Sequence, residues 1–101
     1  MEQIVWTKLA LSDIDNIYNF IALESPYYAR KTIEQFFVRV EVLALYPLLG
    51  KVVNEYLKSD VKELIEGNYR IFYKFNKNGI SIIRVHHAAR RIRKRKQQNL
   101  I

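Results

Sequence analysis

The stretch NYRIFYKFNKNGISIIRVHH, residues 68–87, limits the possible folds more than any other part of the chain. Tyr69, Ile71, Tyr73 and Phe75 alternate with Arg70, Phe72 and Lys74, a period of two that belongs to a strand with one buried face. Ile80 to about His86 reads as a second strand. Asn78-Gly79 between them is a strong signal for a two-residue hairpin turn. Such a hairpin returns the Arg84–His87 end beside the Tyr69–Arg70 start. The basic and imidazole groups therefore gather at one end of the sheet face that is not buried. A lone hairpin is marginal in water, so the rest of the chain must cover its apolar face.

That remainder supplies a third strand and a helical pair. Val61 to Ile65 reads as a strand, joined to Tyr69 by a turn at Gly67-Asn68. Ile14, Ile17, Tyr18 and Ile21 fall on one helical face, predicting a helix over 10–23 with Ser12 as cap and Asp13 and Asp15 in the first turn. Ser25-Pro26 starts a second helix, whose apolar residues from Ala29 to Ala44 recur at helical spacing until Tyr46-Pro47 ends it. Residues 3–7, QIVWT, read as a short first strand, and 47–59 as irregular or weakly extended. The expected fold class is α+β in the order β-α-α-β-β-β, a small antiparallel sheet packed against an N-terminal helical hairpin. Residues 1–91 form the single domain and 92–101 a basic tail.

Charge is strongly segregated. The chain of 101 residues carries a formal charge of +7. Residues 1–83 balance, whereas the last eighteen positions hold Arg84, Arg90, Arg91, Arg93, Lys94, Arg95 and Lys96 and no acid. Such a block favours an anionic partner: nucleic acid, an acidic protein segment or an anionic surface; its plainer role is a solvated tail. With no cysteine, disulfides and Cys-ligated metals are excluded. Two adjacent histidines fall short of the three or four ligands of a zinc site, so no metal is expected. The start MEQIVWTKLALSD lacks the basic n-region and apolar run of a secretory leader, and no apolar run is long enough to span a bilayer. The expectation is a cytoplasmic protein with no membrane association and no cofactor.

Five segments in this order, IVWTKLALSDIDNIYNFIA, LALYPLLGK, VKELIEG, NYRIFYKF and GISIIRVHHAARR, together resemble the RelE/ParE superfamily of type II toxin–antitoxin toxins. The resemblance covers nearly the whole chain and implies a compact sheet with a helical hairpin. It implies a toxin held inactive in a hetero-oligomer with a cognate antitoxin. RelE-like members cleave mRNA on the ribosome, whereas ParE-like members bind and poison DNA gyrase without hydrolytic chemistry. Arg70 matches the RelE-like Arg of the YR strand, Lys62 stands where a strand base is expected, and Arg90 or Arg91 lies near the later Arg. The segment after Arg91 has no Tyr or His where the RelE-like pattern places a terminal acid or base. The ending IIRVHHAAR is closer to the ParE-like form, so gyrase binding is the favoured expectation.

The ribonuclease alternative has its own chemistry. Metal-free RNA cleavage needs a group to take the 2′-hydroxyl proton, a group to protonate the leaving oxygen, and cations on the phosphate. Histidine suits either proton transfer near neutral pH, and arginine binds two phosphate oxygens at once. Arg70, Arg90 and His87 are the catalytic candidates on that reading. Lys62, Lys74, Arg84, Arg91, Arg93, Lys94, Arg95 and Lys96 are candidates for contacting a target or nucleic acid. Structural roles compete: Arg70 pairing with Glu63 or Glu66, one histidine capping the strand while the other is exposed, Phe72 packing on a neighbouring segment or the antitoxin, and Trp6 and Tyr27-Tyr28 in the core or an interface. A third reading is an inactive homologue or a basic nucleic-acid-binding module.

Overall fold

The computed structural model describes residues 1–53 and 60–89. Strand β1 (Ile4–Trp6) leads straight into helix α1 (Lys8–Ala22), and helix α2 (Pro26–Glu41) continues as a 3-10 turn, Val42–Ala44. Strands β2 (Lys51–Val52), β3 (Val61–Glu66), β4 (Tyr69–Asn76) and β5 (Gly79–His87) follow. The sheet order is β1-β5-β4-β3-β2. β1 runs parallel to β5 and every other pair is antiparallel. The α+β class and the helical hairpin are as expected. The sheet has one parallel pair, and the two-residue β2 falls in the stretch expected to be irregular or weakly extended.

Local chemistry explains most boundaries. Ser25 accepts the Tyr28 N–H and Pro26 occupies the first turn of α2, as the sequence predicts. α1 differs: its cap is Thr7, not Ser12, so the helix starts at Lys8 and Asp13 falls one turn further in. Thr7 Oγ1 accepts the Ala10 N–H at 3.2 Å and donates to the Ile82 carbonyl at 2.9 Å. The start of α1 is thus set by β5, seventy-five residues away in the chain, which no local pattern reports. α2 ends at Glu41, earlier than the expected 46, because the apolar run tightens into the 3-10 turn that buries Leu43 and Ala44.

The helices cover one face of the sheet. Ala10, Ile14, Phe36, Val40 and Leu43 pack on Leu64, Ile71, Tyr73, Ile80, Ile82 and Val85. The opposite face carries a smaller core of Val53, Val61 and Phe72 with Ile83 against it. Phe72 is fully buried there, the outcome in which it packs on a neighbouring segment of its own chain.

Two turns and a bulge fix the register. The β3–β4 loop is Gly67-Asn68, with Gly67 at φ 58°, the conformation a tight hairpin requires of its first loop residue. The β4–β5 loop is Lys77-Asn78, one residue earlier than predicted. Asn76 Oδ1 accepts the Asn78 N–H, and Gly79 alone takes the positive φ, 112°, as the first residue of β5. A side chain at Gly79 would meet the Gln3 carbonyl oxygen at 2.6 Å. Further along, Phe72 pairs with Arg84 but Tyr73 pairs with Ile82, so Ile83 is an extra residue in β5.

Candidate functional site

The bulge decides what the end of the sheet presents. Continued unbroken from the Asn76–Gly79 pair, the ladder would set Val85 opposite Arg70. The extra residue brings His86 opposite Arg70 and leaves Val85 in the core beside Ile71. The apolar pattern Ile80, Ile82, Val85 asks for this phase change, since a strict period of two would put Val85 on the wrong face.

Arg70, His86 and Phe72 form one cluster on the face away from the helices. The Arg70 guanidinium lies 4.9 Å from the Phe72 ring centroid, and the His86 ring meets the same phenyl edge-on at 5.3 Å. Arg70 Nε donates to Glu63 Oε1 at 2.6 Å, and both side chains are largely buried. The cross-hairpin pairing with Glu63 is therefore real. His86 is itself buried. Lys74 shares this face, with its Nζ 3.9 Å from Asp60 at an exposed position.

His87 points the other way. It pairs across the ladder with Tyr69, and the two rings meet edge-on at 5.3 Å. Its Nδ1 accepts the Ala89 N–H at 3.1 Å and the residue is exposed, so the strand cap and the exposed imidazole are the same residue. Burial, and after it the Tyr28 hydroxyl, raise the Tyr69 phenol above its ordinary value. Lys62 pairs with Tyr73, which places it on the face opposite Arg70 and Lys74. Arg90, Arg91, Arg93, Lys94, Arg95 and Lys96 lie outside the described residues.

Arg84 is engaged within the fold. Its Nε and one terminal nitrogen fork onto Asp13 Oδ2 and Oδ1 at 2.8 and 2.9 Å. Asp13 Oδ2 also accepts the Val85 N–H at 2.9 Å. Sequence reasoning missed Asp13: its place near a helix start suggested only a dipole contact. An acid in the middle of an apolar helical face, buried beside Ile14, is the signal that it must have a partner.

The helical hairpin leaves an apolar tip. Phe20, Leu23, Tyr27 and Tyr28 are 62–83% exposed. Tyr27 and Tyr28 are thus surface residues, whereas Trp6 is half-buried against Phe37 at 4.6 Å. Among the described residues no group of three or more His, Asp or Glu is placed to hold a metal ion, and no helix is long and apolar enough to cross a membrane.

Comparison with known proteins adds a family. The profile of the family described as the ParE toxin of type II toxin–antitoxin systems, parDE, matches residues 4–92. Toxin RelE2 of Caulobacter vibrioides is 32% identical over 90 residues, covering 89% of this chain and 99% of that protein. A chain of the chromosomal ParDE TA system from P. aeruginosa superposes with a TM-score of 0.72 at 23% identity, over 86% of this chain and 96% of that one. A chain of the toxin–antitoxin complex RelBE2 from Mycobacterium tuberculosis gives 0.59 at 21% identity, over 85% and 96%. At these identities the two structures speak for the fold.

Proposed function

The chain belongs to the ParE toxin family of type II toxin–antitoxin systems, and from that premise we propose that it arrests growth by binding DNA gyrase and is neutralised by a cognate antitoxin. The observation that carries the gyrase reading is the separation of the ribonuclease candidates. Arg70 and His87 lie on opposite faces of the sheet, and Arg70 is held by Glu63. A general base and a phosphate-binding cation must converge within hydrogen-bond reach of one substrate. The absence of Tyr or His after Arg91 supports the same reading. A poison that acts by binding needs no such convergence; it needs a surface, and the basic end of the chain supplies charge to steer it.

A second reading rests on His86. Because the bulge sets it opposite Arg70 with Phe72 between, an imidazole, a guanidinium and an aromatic ring share one face. That set suits a ribosome-dependent mRNA endonuclease, with His86 rather than His87 as the proton-transfer group. Lys74, and residues 90–96 beyond Ala89, are the further target contacts proposed on either reading.

The exposed Phe20, Leu23, Tyr27 and Tyr28 support an antitoxin contact along the helical hairpin. Pulse labelling after induction of the lone chain in a bacterial host separates the targets. Thymidine incorporation falling first, with methionine incorporation sustained, is the expected result. Methionine falling first replaces the gyrase reading with the endonuclease one.

A further inference from the structure

β1 accompanies β5 only from Ile80 to Ile82. Beyond that point no strand among the described residues lies beside the outer edge of β5, and helix α1 takes the place of one. The Thr7 N–H reaches the Ile82 carbonyl at 3.1 Å. Thr7 Oγ1 donates to the carbonyls of Ile82 and Ile83 at 2.9 and 3.3 Å. Asp13 then receives the Val85 N–H and the forked Arg84 guanidinium. The four residues gripped in this way, Ile82 to Val85, are the bulge and its two flanks.

A bulge is a phase choice. Each strand residue must face one side or the other, and a slip of one residue moves every later side chain across the sheet. Asp13 bonds the two residues that follow the extra one. It holds the Val85 backbone at the edge and draws the Arg84 side chain round to the α1 side. With those fixed, Val85 enters the core and His86 falls opposite Arg70.

We propose that Asp13 is a positioning residue of the toxin: its carboxylate clamps Arg84 and the Val85 N–H, sets the phase of β5 beyond the bulge, and so presents the toxic end of the sheet without itself touching the target. The inference rests on the reading of the chain as a growth-arresting toxin, but on neither choice of target. Arg84, a candidate for target contact from the sequence, becomes the other half of the clamp.

The test uses the full chain carrying Asp13→Asn, which keeps the shape and removes the charge, and Arg84→Gln. Val40→Ala, in the helix-side core of α2, serves as a control for lost stability. Growth arrest on induction is scored at a temperature where melting curves show every variant folded. Amide chemical shifts and hydrogen exchange of the purified chains report the phase of Ile83–His87 directly. The expected result is a tenfold or greater loss of arrest for Asp13→Asn and for Arg84→Gln. The double variant loses no more than either single one. Amide changes are confined to β5 after Ile82, and Val40→Ala arrests growth normally.

Full arrest by folded Asp13→Asn overturns the proposal, whether or not the β5 amides move. Loss of arrest with unchanged β5 amides also overturns it, because Asp13 then acts by another route. A parallel loss in Val40→Ala reduces the clamp to ordinary stability and overturns it too. Arrest of translation by the wild-type chain discards the gyrase reading alone and leaves this one standing. A wild-type chain that arrests nothing overturns both.

Discussion

The two faces of the sheet are built on different principles. The helix-side face is a continuous apolar layer in which Ala10, Phe36, Leu43, Ile71, Tyr73 and Ile82 are all almost wholly buried. Among the described residues, the other face has Val53, Val61, Phe72 and Ile83 at its centre, with Glu63, Arg70, Lys74 and His86 around them. On the first face, burial removes apolar area from water, and its buried polar groups, the Tyr73 hydroxyl and the Asp13 carboxylate, are each hydrogen-bonded. On the second, the small core is tied to ion pairs and ring contacts, whose worth depends on geometry and screening. A chain that stabilises itself on one face is free to carry charge on the other. Arg70, Lys74 and His86 lie on that second face.

The largest expected effect tests that asymmetry. Phe36→Ala should cost about 3–5 kcal/mol, as deletion of a well-packed aromatic does. Phe72→Ala, in the smaller of the two clusters formed by the described residues, should fall at or below about 3 kcal/mol. Urea unfolding of both variants measures the difference, and equal losses would mean the second core is as integral as the first.

Next in size is the joint where the faces share a residue. Tyr73 lies in the helix-side core, and its hydroxyl donates to the Pro47 carbonyl at 2.9 Å and accepts the Gly50 N–H at 2.8 Å. A side chain at Gly50 would meet the Tyr73 hydroxyl at 2.6 Å and the Glu63 backbone carbonyl at 2.7 Å. Gly50→Ala is expected to cost about 1–3 kcal/mol, because a backbone carbonyl cannot swing aside as a side chain does. A neutral Gly50→Ala in thermal melts would show that the 47–52 segment is free to move off the sheet.

Tyr73→Phe should cost about 1–3 kcal/mol at neutral pH, since it leaves the half-buried Gly50 N–H and Pro47 carbonyl without their partner. Its alkaline behaviour is a separate signature. Burial raises the Tyr73 phenol above its usual value of 10.0, against an opposing hydrogen bond from Gly50. The unfolded chain therefore ionises first. The stability tied to the neutral phenol is fully present below the ordinary pKa and is lost as pH rises through the higher folded one. Tyr73→Phe should shallow the fall in melting temperature above that ordinary value, while the Tyr69 phenol, raised in the same direction, keeps its own contribution. An unchanged alkaline slope would assign the effect elsewhere.

The smallest effect belongs to the exposed Lys74–Asp60 pair at 3.9 Å. Lys74→Ala should change stability by less than about 0.5 kcal/mol while still reducing the effect on the target, because exposed pairs of this length contribute little. A larger loss of stability would move Lys74 from the functional face to the structural one.

Legibility followed the range of the interactions. The β4–β5 hairpin, the Gly67-Asn68 turn and the Ser25-Pro26 start of α2 depend on neighbours within a few residues, and the chain spells them out. The turn at Gly79 was legible to within one residue, because the Gly supplies the positive φ but the Asn76 side chain decides which residues form the loop. Asp13 and Thr7 were misplaced because their partners on β5 are more than seventy residues away. The choice between His86 and His87 beside Arg70 was open in the sequence, where adjacent strand residues must diverge but neither has a claim. Alternation, capping and turn chemistry are local and belong to the sequence itself. The parallel seating of β1, the clamp of α1 on β5 and the single extra residue at Ile83 are decided only when distant segments meet, because edge hydrogen bonds and core packing select a register that no stretch of the chain can choose alone.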